Sequence, residues 1–287
     1  MSDRTPVLVT GATGNVGRHV VTRLLAEGVP VRALTRDPAT AGLPDGVAGY
    51  RGDLSEPATL REALDGAGAV FLVWPFLTAE AAPAVLERVA GHTERLVYLS
   101  SSGVRDDLPE QADPINAFHA DIERMVRATG LDWTFLRAGG FAANALQWAG
   151  QIRATGVVRA PFGTASRALI HEADIAAVAV RALLDDGHSE ATHILTGPAP
   201  LTQAEQVRLI GEAIGRPTRF VEQPPEEARA DMVAAGWPEN VVDGILNAHS
   251  AMTKGAAGQV TGTVQAVTGR PARTFAEWAR DHADDFR

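Results

Sequence analysis

Near its start the chain reads Val7-Leu8-Val9-Thr10-Gly11-Ala12-Thr13-Gly14-Asn15-Val16-Gly17, and this stretch narrows the possible folds more than any other. A β-favouring triplet runs into three glycines spaced by three. Apolar residues then recur at helical spacing: Val16, Val20, Val21, Leu24 and Leu25. The pattern predicts a strand, a tight turn and a helix. Gly11 permits the turn, Gly14 leaves the backbone bare for a pyrophosphate, and Gly17 lets the helix lie close on the strand. The free N–H groups and positive dipole of the helix N-terminus then face the phosphates of a dinucleotide, and Thr13, Asn15 and Val16 are expected among the cofactor-binding residues. The plainer alternative is an ordinary glycine-rich strand–helix turn.

Composition removes several other classes. The chain has 287 residues, enough for one large α/β domain or for a large and a small one. A net charge of −9 argues against a nucleic-acid surface, which needs a basic face. There is no cysteine, so disulfides, thiolate metal sites and a cysteine nucleophile are excluded. No apolar run reaches the roughly 18 residues of a membrane helix. The first strand starts within a few residues of Met1, so no signal peptide is expected and the cytoplasm is the expected compartment.

Strands and helices alternate along the first half. Residues 29–34, 47–51, 69–73, 96–99 and 133–136 read as further strands, and residues 56–64, 79–89 and 116–129 as helices. Alternation of this kind implies a doubly wound parallel sheet. Past residue 150 the pattern loosens. Residues 152–160 and 167–170 read as short strands, 174–184 as a helix, and 192–196 and 218–221 as strands. A helix over 201–214 is capped by Thr202, residues 224–251 are helical in pieces, and Thr274 caps a last helix. The expected division is a dinucleotide domain over 1–150, with 151–287 holding late sheet elements and a small α-rich substrate-binding cap. Substrate is expected at the carboxyl ends of the strands.

Several side chains are candidates for that edge. Arg36 ends the second strand, where an acid would accept a ribose hydroxyl and an arginine pairs with a 2′-phosphate. Thr35 occupies the position that usually carries the acid, so NADPH is expected in preference to NADH; a solvated surface arginine is the alternative. Asp53 and Leu54 either meet the adenine or cap the next turn. Trp74 and Phe76 wall the cofactor channel or pack at the rim. Arg137, Phe141 and Asn144 follow the sixth strand and are expected to face the cleft, and Phe141, Trp148 and Phe162 are candidates for an aromatic substrate pocket; the alternative for any one of these aromatics, and the commoner place for such a residue, is the core. His171, Glu172 and Asp174 resemble a metal cluster only in composition, and no metal is expected.

The chain resembles the atypical short-chain dehydrogenase/reductases of the NmrA-like group. The matching stretches are the Gly11–Gly17 turn, Val31-Arg32-Ala33-Leu34-Thr35-Arg36, Leu131-Asp132-Trp133-Thr134-Phe135-Leu136-Arg137, Gly140-Phe141 and Asp174-Ile175-Ala176. Leu195-Thr196-Gly197-Pro198 and Thr268-Gly269-Arg270-Pro271 extend the match over nearly the whole chain. The resemblance implies a Rossmann-type sheet, a nicotinamide cofactor near Ser100 and a small C-terminal substrate region. The group includes NADPH-dependent quinone reductases, tailoring enzymes of aromatic natural products and non-catalytic redox sensors.

One departure bears on mechanism. The wider superfamily places Tyr and Lys four residues apart on the helix after the fifth strand, where Tyr protonates the alkoxide. Here that spacing holds Ile115 and His119. Lys254 is the single lysine, and the tyrosines are Tyr50 and Tyr98. His119 is expected to bind ribose or to donate a proton near neutral pH; a surface histidine pairing with Asp121 or Glu123 is the alternative. Ser102 falls where the resemblance places the catalytic serine, though a serine run is also ordinary turn material. The expected function is NADPH-dependent reduction of a quinone or a conjugated, aromatic ketone, in natural-product tailoring for example. The rival is a non-catalytic NADP(H) sensor working through a protein partner.

Overall fold

A computed structural model describes residues 4–111, 113–254 and 259–287. The strands are β1 (Val7–Val9), β2 (Val31–Thr35), β3 (Val47–Arg51), β4 (Ala69–Leu72), β5 (Arg95–Ser101), β6 (Asp132–Ala138), β7 (Val157–Ala160), β8 (Ser166–Arg167), β9 (Ala191–Leu195), β10 (Leu201–Thr202) and β11 (Arg219–Glu222). The helices are α1 (Gly17–Ala26), α2 (Arg61–Leu64), α3 (Ala82–Ala90), α4 (Pro114–Arg127), α5 (Ala149–Thr155), α6 (Glu172–Leu184), α7 (Gln203–Ile214), α8 (Pro225–Ala234), α9 (Glu239–Thr253), α10 (Thr263–Thr268) and α11 (Phe275–Asp281).

The chain divides into two compact units. The first holds Met1–Ala138, Glu172–Leu195 and Ala266–Gly269; the second holds Gly139–His171, Thr196–Gln265 and Arg270–Arg287. Proximity therefore does not follow chain order: the first crossing comes at Ala138, and α6 and β9 return to the first unit.

In the first unit seven strands form one sheet in the order β3-β2-β1-β4-β5-β6-β9, with every neighbouring pair parallel. Starting at the centre and winding both ways is the dinucleotide-binding order. All seven strands thus end along one edge. β4 is buried at every residue, as expected of a strand covered on both faces. One face packs on α2, α3 and α4 through Leu64, Val85, Leu86, Phe118, Ile122 and Val126. The opposite face carries α6, which is buried almost all round and lies against α1.

The second unit has its own core around Trp148, Ile152, Val158, Val207, Ile210, Phe275, Trp278 and Phe286. β7 pairs with β11, and β8 with β10. The expected cap at Thr202 is a full capping box with Glu205, and Thr274 makes the same box with Glu277. Two expectations fail here. Residues 152–155 belong to helix α5, not to a strand: Ile152 is the one large apolar residue among them, and Gly156 at φ 70° closes the helix. The strand expected over 167–170 shrinks to Ser166–Arg167, with Ile170 making one isolated bridge to Phe141. Among the described residues no helix is long and apolar enough to cross a membrane.

Candidate cofactor and substrate site

The β1–α1 turn divides its work among the three glycines. Gly11 sits at φ 60°, where an L side chain is strained, and a Cβ there would stand 3.1 Å from Val73 Cβ. A Cβ on Gly17 would fall 2.0 Å from the Gly11 carbonyl oxygen, so no larger residue fits. A Cβ on Gly14 meets only that same oxygen, at 3.2 Å; its outer side is open. Thr13 and Asn15 are exposed. Among the described residues the backbone N–H groups of Thr13, Asn15 and Val16 donate to no protein acceptor. Bare backbone and outward N–H donors at a helix start are what a pyrophosphate needs, so the residues present fit a dinucleotide.

Behind the turn, Thr10 ties the ends of β1 and β4 together. Its hydroxyl donates to the Val73 carbonyl at 3.1 Å and accepts from the Val73 N–H at 2.7 Å. At the end of β2, Arg36 is exposed and makes no hydrogen bond or ion pair among the described residues. Asp37 is turned away, accepting from Ala39 N–H and the Thr40 hydroxyl. Asp53 accepts from both the N–H and the hydroxyl of Ser55, and these bonds, with the charge of Arg36, hold its carboxyl below the usual range. Its turn-capping role is therefore real, and one carboxylate oxygen remains available. Leu54 is buried. Trp74 donates its indole N–H to the Thr78 carbonyl and meets Phe76 edge-on at 5.2 Å, a packed rim at the end of β4.

The serine run after β5 is sorted by partner. Ser100 is 3% exposed and donates to Glu123 Oε1 at 2.7 Å. Ser101 donates to Asn116 Oδ1 at 2.7 Å, and Asn116 is held in turn by Asp113, the N-cap of α4. Ser102 is half-buried, its N–H donates to the Ala138 carbonyl at 2.9 Å, and its hydroxyl has no partner among the described residues. One free hydroxyl thus stands at the carboxyl edge of the sheet, on a backbone fixed by its neighbours.

Four expectations need correction. Ser100, expected on the cofactor, points its hydroxyl at α4. Arg137, expected to line a pocket, is 4% exposed and bonds Glu123 Oε2 and Asp106 Oδ1, each at 2.6 Å. Burial works against its charge, but those carboxylates keep it firmly protonated. Both corrections have one cause: along a strand alternate residues share a face, so Ser100 follows Tyr98, and Arg137 follows Phe135, onto the α4 side. Trp148 belongs to the second unit's core. His119 is neither a surface residue nor a proton donor near neutral pH. Its Nδ1 lies 2.6 Å from the Tyr98 hydroxyl, and burial lowers its pKa to about 4 against the opposing charge of Asp113.

The other proposed pocket residues lie in the second unit. Phe141 is half-buried and precedes a 3-10 turn, Asn144 is exposed, and Phe162 takes φ 60° with its N–H bonded to Glu222. Sequence reasoning missed the Tyr98–His119 pair and the cluster of Glu123, Arg137, Asp106 and Arg127. The usable signal was the spacing of His119 and Glu123, four apart on α4, opposite Tyr98 and Ser100, two apart on β5. Among the described residues no group of three or more His, Asp or Glu is placed to hold a metal ion.

A phosphate-cradling turn, an edge arginine and a free hydroxyl on one sheet edge define a dinucleotide-dependent oxidoreductase. The chain belongs to the NAD(P)H-binding family, whose model matches residues 11–186. It is 40% identical to the (4-alkanoyl-5-oxo-2,5-dihydrofuran-3-yl)methyl phosphate reductase of Streptomyces griseus, over 98% of this chain and 99% of that protein. It is 37% identical to the NAD(P)H azoreductase of Xenophilus azovorans, again over 98% and 99%. In fold it is similar to an NADPH-dependent quinone oxidoreductase of Escherichia coli solved with NADPH, with a TM-score of 0.79 at 24% identity over 96% and 99% of the two chains. The resemblance to the NmrA-like reductases is borne out.

Proposed function

We propose that the chain reduces quinones or conjugated, aromatic ketones in the cytoplasm, with NADPH preferred over NADH. The observation that carries this reading is the sheet edge itself. It offers the free Ser102 hydroxyl, while Tyr98 is buried in the core and His119 is neutral and bonded to it. The reduced nicotinamide supplies the hydride when bound. The N–H groups of Thr13, Asn15 and Val16 hold the pyrophosphate against Gly14, Arg36 takes the 2′-phosphate, and Asp53 and Leu54 border the adenine. Ser102 donates a hydrogen bond to the substrate oxygen and orients it. Phe141, Asn144 and Phe162 are the proposed substrate contacts of the second unit.

A hydroxyl can orient an oxygen but is too weak an acid to protonate an alkoxide. A positioned acid is worth roughly 10²–10⁴-fold, so an aliphatic ketone is a poor substrate here. A quinone yields a phenolate-like oxygen with a pKa of about 10, which needs no strong acid. An aryl ketone beside its own phenol carries its proton source. The relatives support conjugated substrates: one is named for an acylated, unsaturated lactone bearing a phosphate ester, the other for azo compounds. NADPH consumption with 1,4-naphthoquinone, 2-hydroxyacetophenone and cyclohexanone tests the reading. The first two should turn over, with cyclohexanone at least about a hundredfold slower. Comparable rates for cyclohexanone would sink it.

A further inference from the structure

Ser102 is placed by its backbone alone. The hydroxyls of Ser100 and Ser101 are each held by a side-chain oxygen of α4, whereas that of Ser102 has no partner among the described residues. The next residue, Gly103, restrains the chain least of all residue types. Beyond it the turn closes only on itself, with Val104 N–H donating to the Ser101 carbonyl at 3.2 Å. The ties from this segment to the sheet come from the last two residues of β6. The Ala138 carbonyl accepts the Ser102 N–H at 2.9 Å. The Arg137 guanidinium donates from Nη1 and Nη2 to the two oxygens of Asp106, at 2.7 and 2.6 Å. Residues 102 to 106 are thus held at both ends by one strand end.

The Asp106–Arg137 pair is lopsided: the aspartate side chain is 64% exposed and the arginine side chain 5%. Two exposed partners would contribute little. Here the guanidinium cannot turn away, because Nε and Nη2 also donate to Glu123, at 2.9 and 2.6 Å. Nη1 reaches the Val104 carbonyl as well, so each of its nitrogens is engaged. The bonds and charge of Arg137 hold the Asp106 carboxyl below its usual range. The rest of the loop is braced on itself. Gln111 accepts from the Arg105 N–H and donates to the Arg105 carbonyl, and the Arg105 guanidinium forks onto Asp107. Among the described residues, Asp106 is the one member of 102–111 whose polar side chain reaches outside that loop. We propose that Asp106 is a positioning residue for the reduction: through its fork with Arg137 it sets the backbone from which Ser102 presents its hydroxyl to the substrate oxygen. This rests on the reading of Ser102 as the group that orients the substrate, and it gives an exposed loop carboxylate a part in turnover.

Two readouts separate this role from plain structural support. Asp106→Ala should slow naphthoquinone turnover about tenfold and leave the NADPH dissociation constant unchanged, since a small misplacement of an orienting group costs up to about a hundredfold. Made in the Ser102→Ala protein, the same substitution should cost less than about twofold, because the hydroxyl it misplaces is gone. The second readout needs no substrate. The Ser102 amide hydrogen, protected by the Ala138 carbonyl, should exchange with solvent at least about tenfold faster in Asp106→Ala. If Asp106→Ala does not fold, Asp106→Asn, which keeps the shape and loses the charge, carries both readouts. Losses that multiply in the double variant, or unchanged exchange at Ser102, would overturn the proposal. Absence of quinone turnover in the unsubstituted protein would overturn the reductase reading instead, with the tie between Asp106 and Ser102 still decided by exchange.

Discussion

Single residues on the sheet edge divide into those with a partner and those without, and this sets what each should do when changed. Arg36 is free and Asp37 is bonded elsewhere, so Arg36→Ala should erase a preference for NADPH of roughly tenfold to a hundredfold, the 1.5–3 kcal/mol of a charge-assisted pair, in paired cofactor titrations. Ser102→Ala should slow quinone turnover by about tenfold to a hundredfold while leaving the NADPH dissociation constant unchanged, because its hydroxyl orients substrate and its N–H holds the backbone. His119 gives a pH signature. Its pKa falls from an ordinary 6.5 to about 4 on folding, so between those values the unfolded chain binds more protons than the native one. Stability from this group is complete above about pH 6.5 and is lost as the pH falls toward 4, by up to about 3 kcal/mol. Urea midpoints should drop across that window, and His119→Gln should flatten the drop. The sequence displayed these residues but not their directions. Ser100 and Arg137 were legible as strand-end polar groups; the two-residue alternation that turns them toward α4 depends on the exact strand ends, which local patterns leave uncertain.

Secondary elements carry the next level of specification. The glycine turn was readable because each glycine answers a separate steric demand, and those demands predict different failures. Gly17→Ala drives a methyl group into the Gly11 carbonyl and should cost the fold itself. Gly14→Val leaves that fold largely intact and should abolish NADPH binding, seen as a folded circular dichroism spectrum with a flat titration. Helix α4 is locked to β6 through Glu123, whose carboxylate receives Ser100, Arg127 and Arg137. Glu123→Ala leaves Arg137 with Asp106 as its single carboxylate and Ser100 without its acceptor, and should lower stability by about 1.5–3 kcal/mol in denaturant titrations. That lock was invisible in sequence because its members come from two strands, a helix and the loop holding Asp106. Helix α5 was misread for the opposite reason: four residues held too little pattern to separate a short helix from a short strand.

On the scale of the whole molecule, chain order and spatial order part company. The sheet was predictable from alternation, but its seventh strand and the helix across its opposite face come from residues past 170. A fragment of residues 1–150 lacks α6 and β9, so it would bare the face that α6 buries and an unpaired edge on β6. It should be insoluble or unfolded by circular dichroism, whereas the full chain should give a folded α/β spectrum. The contact between Tyr98 and His119, deep in the first unit, also has an optical consequence. Burial and the charge of Glu123 raise the Tyr98 pKa well above 10, and the chain has just one other tyrosine. Phenolate absorbance gained on alkaline titration of the native protein can therefore come from one ring at most. The second ring must report in step with unfolding, so a simple ultraviolet titration serves as a built-in gauge of when the central sheet opens.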